Sequence, residues 1–323
     1  MASSASICLR NQIDRFVLPG FPKIEFGFAY GSGVFRQQDN EKKDSTMVDF
    51  IFSVKDSRQW HAENLILNPS HYALLPRICG PSLVKAIQDI GDAKIYFNPY
   101  ARLPGMPQPL KYGVVEHSHL LDDLQHWKSL YFAGRLHKPV HFMVKNADAE
   151  QLIRKNRIAA IKVAAILAQS QIGRPASEIS DLTLFQHIAA ISYTGDIRMR
   201  VGAEHPNKAS NIVLGHLEDW RELYGPLINE LQPCGIHTSP DHRIISFESV
   251  SLSSIHDDLP GGLRHEIDKV TAHTKNDVEV LTTALTNIIS RSTLVQTLKG
   301  VLTAGISPSI RYLLAKLSKR KSK

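Results

Sequence analysis

Gly31-Ser32-Gly33 and Asp49 are the residues whose types and spacing point most directly to chemistry in this chain. A β-prone run (Phe26, Phe28, Tyr30) breaks at Gly31-Ser32-Gly33. After the polar loop RQQDNEKKDST, a second apolar run from Met47 to Val54 carries one acid, Asp49. Amides freed by a glycine turn can face phosphate oxygens, and a helix beginning near Val34 would add the positive end of its dipole. Asp49 offers a hard oxygen to Mg²⁺, which takes one or two carboxylates alongside substrate phosphates. The arrangement can hold a nucleoside triphosphate and its metal; a Gly-Ser-Gly that is no more than a turn is the plain alternative.

Offsets exclude commoner motifs. A dinucleotide fingerprint needs a third glycine where Arg36 stands, and no Gly-Lys-Ser/Thr of a Walker loop is present. A nucleophile elbow around Ser32 would need glycines at Tyr30 and Val34. Gly-Ser followed at a distance by a strand acid does match the nucleotidyltransferase superfamily, the polymerase-β-like fold.

The elements that must position these residues read as an α+β chain. At 323 residues there is room for two domains. Helical stretches divided at Asn68-Pro69 and Gly80-Pro81 follow Asp49, then strands at Ala93–Phe97 and in LKYGVVE, giving a mixed sheet. Leu120, Leu121, Leu124, Trp127 and Leu130–Tyr131 predict a helix that stops near Gly134, and Pro139-Val140 opens an extended run. Trp60, Leu65 and Leu67 read as core anchors, and His61 and His71 as hydrogen-bonded structural histidines. His117 and His119 lack the further ligands of a metal site. From Asp148 the chain turns helical, with Ser177 as a capping residue and a further helix near Leu214–Tyr224. Residues 232–263, rich in Pro, Gly, Ser and His, read as loops, and helical pattern resumes at Asp277. The expected division is 1–13, a presequence or an unstructured N-terminus; 14–148, a mixed-sheet domain; 149–286, a helical domain; and 287–323, an amphipathic tail.

Charge singles out that tail. Eight basic residues and no acid follow Glu279, so 30 basic and 31 acidic residues precede them, although the whole chain is at +7. Ile310, Leu313, Leu314 and Leu317 recur at helical spacing, flanked by Arg311, Lys316, Lys319 and Arg320. Such a stripe is either a packed terminal helix with a solvated face or a membrane-surface helix drawn to anionic lipid; the absence of acids favours the membrane, and no nucleic-acid partner is expected. No run of 18 apolar residues reads as a membrane span. Cys8, Cys79 and Cys234 lie far apart, as in a reducing compartment.

YGSGVFRQ, MVDFIFSVKDSRQWHAENLILNPSHY, KYGVV, LYFAGRLHKPV, SYTGDIRM and NKASNIV stand in the order of the mitochondrial translocator assembly and maintenance proteins. The chain resembles that family from about Phe26 to Tyr224. The resemblance implies a peripheral enzyme of the mitochondrial inner membrane, matrix side: a CTP:phosphatidate cytidylyltransferase making CDP-diacylglycerol for cardiolipin synthesis. It also implies a nucleotidyltransferase domain followed by a winged-helix-type helical domain and a membrane-associating tail. A nucleotidyltransferase acting on a soluble or RNA acceptor and a non-catalytic assembly factor are the alternatives. The superfamily pairs two acids on one strand, but Met47 and Ile51 occupy the partner positions of Asp49. Asp196 of SYTGDIRM is the expected second Mg²⁺ ligand, or else a turn aspartate after Gly195; Asp92 is the other candidate. Asp49, Ser32 and Lys111 are the catalytic candidates. Gly31, Ser32, Gly33, Lys111, Arg135, His137 and Lys138 are expected to bind CTP or the lipid phosphate.

Overall fold

The computed structural model describes residues 4–35, 47–169, 178–200, 207–241, 243–248, 250–272, 274 and 276–304. Helix α1 (Ser4–Phe16) precedes β1 (Phe26–Tyr30) and β2 (Val48–Val54). Helices α2 (Ser57–Leu67) and α3 (Leu74–Asp89) lead to β3 (Ile95–Ala101) and β4 (Leu110–Glu116), then α4 (His117–His126), the single turn α5 (Ala133–Leu136) and β5 (His141–Val144). These strands form one mixed sheet, β3-β4-β2-β1-β5, in which β2 and β4 are parallel and the other neighbours antiparallel.

Strand side chains alternate between faces, and here both faces are covered. Phe50, Phe52, Tyr112 and Val114 pack with Leu9, Ile13 and Val17 of the N-terminal segment and Trp60 of α2. Phe26, Phe28, Ile51 and Val115 pack on the other side with Leu120 and Leu124 of α4 and with the helices that follow. Asp49 belongs to this second face, at the end of its strand.

The helical region comprises α6 (Ala147–Gln169), β6 (Glu178–Ser180), α7 (Asp181–Ile191), α8 (Ile197–Arg200), α9 (Lys208–Leu214), α10 (Leu217–Asn229), β7 (Ile236–Thr238), β8 (Ile244–Phe247), α11 (Leu252–Ile255), α12 (Gly261–Val270) and α13 (Asp277–Ala304). Ala159, Ala160, Ala164, Ala165 and Ala168 are buried along α6, where small side chains let neighbouring helices approach closely.

Several sequence expectations are corrected here. The N-terminal segment is helical from Ser4, and Leu9, Ile13 and Val17, four residues apart, bury one stripe of it against the sheet. Residues 232–263 are not all loop: β7 and β8 join β6 in a three-stranded antiparallel sheet whose short strands the surrounding Pro and Gly conceal. Ser180, not Ser177, caps α7, its hydroxyl accepting from Thr183 N; Ser177 lies outside the described residues. Leu67 is exposed rather than a core anchor. The helix through Trp127 stops at His126 because Trp127 is left-handed at φ 55°. One helix, α13, crosses the expected boundary at 286/287, its first half buried through Leu281, Ala284, Leu285 and Ile288. The tail residues Ile310, Arg311, Leu313, Leu314, Lys316, Leu317, Lys319 and Arg320 lie outside the described residues.

Between α2, α3 and the sheet lies a buried polar network. His61 Nδ1 is 2.8 Å from the Tyr72 hydroxyl and Nε2 3.1 Å from Gln88 Oε1. Burial lowers the His61 pKa from 6.5 to about 4. The unfolded chain therefore binds this proton more tightly, so the stabilising contribution is complete above pH 6.5 and is lost as pH falls toward 4. His61→Gln should make the fall in unfolding free energy over that window shallower by about 1.4 kcal/mol per pH unit, as measured by denaturant titration at several pH values.

Candidate active site

Three neighbouring strands bring Tyr30, Asp49 and Lys111 side by side. Tyr30 of β1 pairs with Asp49 of β2, which pairs with Lys111 of β4. Lys111 Nζ lies 3.7 Å from Asp49 Oδ1 and 4.7 Å from the centre of the Phe97 ring. The side chains of Lys111 and Asp49 remain 34% and 29% exposed, so the pair is reachable from solvent.

The glycine turn opens directly beside this carboxylate. Gly31 has φ +80°, and a Cβ there would stand 3.5 Å from Asp49 Oδ2. Gly33 passes so close to the start of β2 that a Cβ would lie 2.5 Å from the Met47 carbonyl oxygen. Both glycines are thus required by the path of the chain, and Ser32 between them is exposed. The expected helix near Val34 is a turn up to Phe35, because the amides of Val34 and Phe35 both donate to the Gly31 carbonyl. The amides of Ser32 and Gly33 are left as the candidates to face an anion.

A group of cations stands across from the strand pair. The Arg135 guanidinium lies 3.7 Å from the Tyr131 ring centre and 5.3 Å from that of Tyr30, so Tyr30 stands between Asp49 and Arg135. Lys138 Nζ donates to the Gly134 carbonyl and the Ser192 hydroxyl, and stacks over Tyr193, as does Lys208 from α9. Burial, then the nearby charges of Arg135 and Lys208, lower the Lys138 pKa to about 7. Among the described residues neither Arg135 nor Lys138 pairs with a carboxylate.

Polar clamps fix the segment that carries these cations. Asp123 of α4, almost wholly buried, accepts from the amides of Ser129, Phe132 and Ala133 and from the Ser129 hydroxyl. Asn156 of α6 donates to the Ala133 carbonyl and accepts from Trp127 Nε1. Arg157 donates to the Leu136 carbonyl, and the Tyr224 hydroxyl of α10 to that of His137. A Cβ on Gly134 would lie 2.5 Å from that of Ser192, so LYFAGRLHKPV and SYTGDIRM meet in contact only glycine permits.

Two expected site residues are placed elsewhere. His137 is fully buried, tilted against Trp127, with Nε2 donating to Asn156 Oδ1 at 3.0 Å. Burial, then Lys138, lower its pKa to about 3; it is a neutral core histidine that cannot reach an anion. Asp196 is also fully buried, and its carboxylate is committed to the Arg198 guanidinium and amide. It orients Arg198 and offers no open oxygen to a metal. Asp92 precedes β3 at the end of the sheet opposite Asp49, since Ile95 pairs with Val115 and Val115 with Ser53. Arg198, Lys208, Tyr193 and the clamping Asp123 and Asn156 were not singled out from the sequence, although SYTGDIRM and NKASNIV contain the first three.

Mg²⁺ fits this donor set. Among the described residues no three His, Cys, Asp or Glu side chains gather as a metal site. A single open carboxylate beside a glycine turn suits a cation that takes its remaining oxygens from phosphates and water.

A family model described as mitochondrial phosphatidate cytidylyltransferase matches residues 15–319. The chain is 34% identical over 320 residues to the mitochondrial phosphatidate cytidylyltransferase of Caenorhabditis elegans, covering 94% of this chain and 96% of the relative. It is 32% identical over 361 residues to that of Dictyostelium discoideum, covering 93% and 82%. It is 32% identical over 327 residues to that of Bos taurus, covering 94% and 93%.

Asp123→Ala should lower the unfolding free energy by about 3 kcal/mol or more in denaturant titration, because it strands buried donors that now share one carboxylate.

Proposed function

The chain belongs to the mitochondrial phosphatidate cytidylyltransferase family, and from that premise we propose how its site carries out the transfer. The enzyme passes the cytidylyl group of CTP to phosphatidate, giving CDP-diacylglycerol and pyrophosphate. The observation that carries the mechanism is the Tyr30–Asp49–Lys111 rung facing the Arg135 and Lys138 segment across one ring.

A phosphate monoester oxygen of phosphatidate attacks the α-phosphorus of CTP. The bond to the β-phosphate oxygen breaks, and pyrophosphate departs with the electron pair. The nucleophile is already an anion near neutral pH, so the protein has little proton transfer to perform. Its work is to hold two mutually repelling anions in line and offset their charge. The Ser32 and Gly33 amides and the Ser32 hydroxyl cradle the β- and γ-phosphates. Asp49 would hold Mg²⁺, which when bound supplies charge stabilisation to the phosphate oxygens. Lys111 steadies the Asp49 carboxylate and meets the leaving pyrophosphate. Arg135, Lys138, Arg198 and Lys208 receive the lipid phosphate, and an anion there returns to Lys138 the proton that its neighbours weaken.

The mixed sheet with its glycine turn supports a nucleotidyltransferase domain. Helices α6, α7 and α10 with the β7–β8 hairpin support a winged-helix-type second domain. Among the described residues no helix is long and apolar enough to cross a membrane. A peripheral place on the matrix side of the mitochondrial inner membrane, with residues 305–323 as the basic docking tail, agrees with this.

Pyrophosphate release should require CTP, Mg²⁺ and phosphatidate vesicles together, and Asp49→Asn should lower it by at least about 100-fold while leaving the circular dichroism spectrum unchanged. Release from the other three nucleoside triphosphates equal to that from CTP would remove the cytidylyl assignment.

Lys138 separates a binding role from a structural one. Its folded pKa of about 7 lies below the unfolded 10.5, so the charged side chain disfavours folding near neutral pH. Lys138→Met should therefore leave the denaturation midpoint unchanged or raise it, while kcat/KM falls by about 10- to 100-fold, as loss of a charged hydrogen bond implies. Equal losses of stability and activity would make it a structural lysine.

A further inference from the structure

The corner between α2 and α3 exposes five large apolar side chains within a short stretch: Ile66 at 85%, Leu67 at 56%, Leu74 at 69%, Leu75 at 61% and Ile78 at 72%. None of them joins a buried cluster. A single exposed leucine is ordinary, whereas a group rimmed by polar residues marks an interaction surface. The chain holds no acid between Glu63 and Asp89, and the exposed cation Arg77 stands among these side chains.

The corner lies at the end of the sheet that carries the site. Asn64 near the close of α2 donates at 2.9 Å to the Tyr112 hydroxyl, and His71 Nδ1 lies 3.1 Å from the same oxygen. Tyr112 follows Lys111 on β4 and pairs with Phe50, which follows Asp49. The apolar corner therefore sits behind the Asp49–Lys111 rung, on the opposite face of the sheet.

The end of α13 packs instead at the other end of α3, away from the corner. Near the end of α13, Lys299 Nζ donates to the carbonyls of Gln88 and Ile90 at 2.8 and 3.0 Å, and Val295 packs against Gly91. Leu294 and Leu298 of α13 are exposed, as is Ile90. Residues 305–323, which follow, contain six basic residues and no acid.

We propose that the α2–α3 corner is a membrane-docking surface, inserting Ile66, Leu67, Leu74, Leu75 and Ile78 into one leaflet of a phosphatidate-containing bilayer while Arg77 meets its phosphates. This rests on the reading above that the acceptor is a lipid. Exposed apolar side chains with a cation among them, in a stretch with no acid from residue 64 to residue 88, complement an anionic bilayer surface. A two-fold contact with a second copy would instead bring the Arg77 charges together, with no acid from residue 64 to residue 88 to offset them.

The test uses the full chain carrying Leu74→Glu, Leu75→Glu and Ile78→Glu, with Ile66→Asn and Leu67→Asn as a second variant should the first not fold. Flotation with phosphatidylcholine vesicles containing phosphatidate reads docking, and pyrophosphate release with dispersed dioctanoyl phosphatidate reads the site. Vesicle affinity should fall at least about tenfold while turnover of the dispersed lipid stays within about twofold of the parent. Undiminished flotation overturns the proposal. So does a parent dimer that the substitutions dissolve while vesicle binding persists, which would make the corner a contact between copies. A parent that turns over neither lipid, yet still needs the corner for flotation, supports the docking surface and removes the acceptor assignment instead.

Discussion

Like charges held together in a half-buried site disfavour folding, and much of this structure answers that constraint. Burial first, and then the nearby charges of Arg135 and Lys208, lower the Lys138 pKa to about 7. At about 1.4 kcal/mol per pKa unit, the displacement from an ordinary lysine costs the fold a few kcal/mol. The fold tolerates it because Asp123, Asn156, Arg157 and Tyr224 hold the backbone of the same segment through buried hydrogen bonds. In the proposed function, an anion arriving between these cations would remove the repulsion, so part of the energy withheld from folding would become available for binding substrate.

The site also depends on both regions of the chain. The sheet supplies the carboxylate, the lysine beside it and the glycine turn, all at one end of adjacent strands. The helical region supplies Ser192, Tyr193, Arg198 and Lys208, and it presses them against α5 through the contact at Gly134. Tyr30 stands between the two sets. Neither region alone assembles the arrangement, which accounts for the polar ties from α6 and α10 to a single helical turn.

The first half of the candidate site was legible because it is local. A β-prone run ended by Gly-Ser-Gly and an isolated acid in the next apolar run need only strand periodicity to be placed together, and β4 appeared at its observed limits. The second half rests on tertiary contact. His137 and Lys138 are neighbours in a motif rich in cations, yet one is a neutral core residue and the other lines the site; only Asn156 and Trp127, distant in sequence, decide which is which. Asp196 carried the chemistry of a metal ligand, but a partner two residues on claims its oxygens. Strands of three and four residues flanked by Pro and Gly have too little periodicity to be seen, so β7 and β8 passed for loop. Serine-rich composition hid the apolar stripe of α1.

The account stands on one junction: a nucleotide's triphosphate seated on the Gly31–Gly33 turn, with its metal on Asp49. Crystals grown with Mn²⁺ and a CTP analogue that resists transfer test this directly through anomalous scattering. The manganese should lie about 2.1 Å from an Asp49 carboxylate oxygen, with triphosphate oxygens completing its shell beside Ser32 and Gly33. Manganese bound elsewhere, or a triphosphate seated away from the glycine turn, would contradict it.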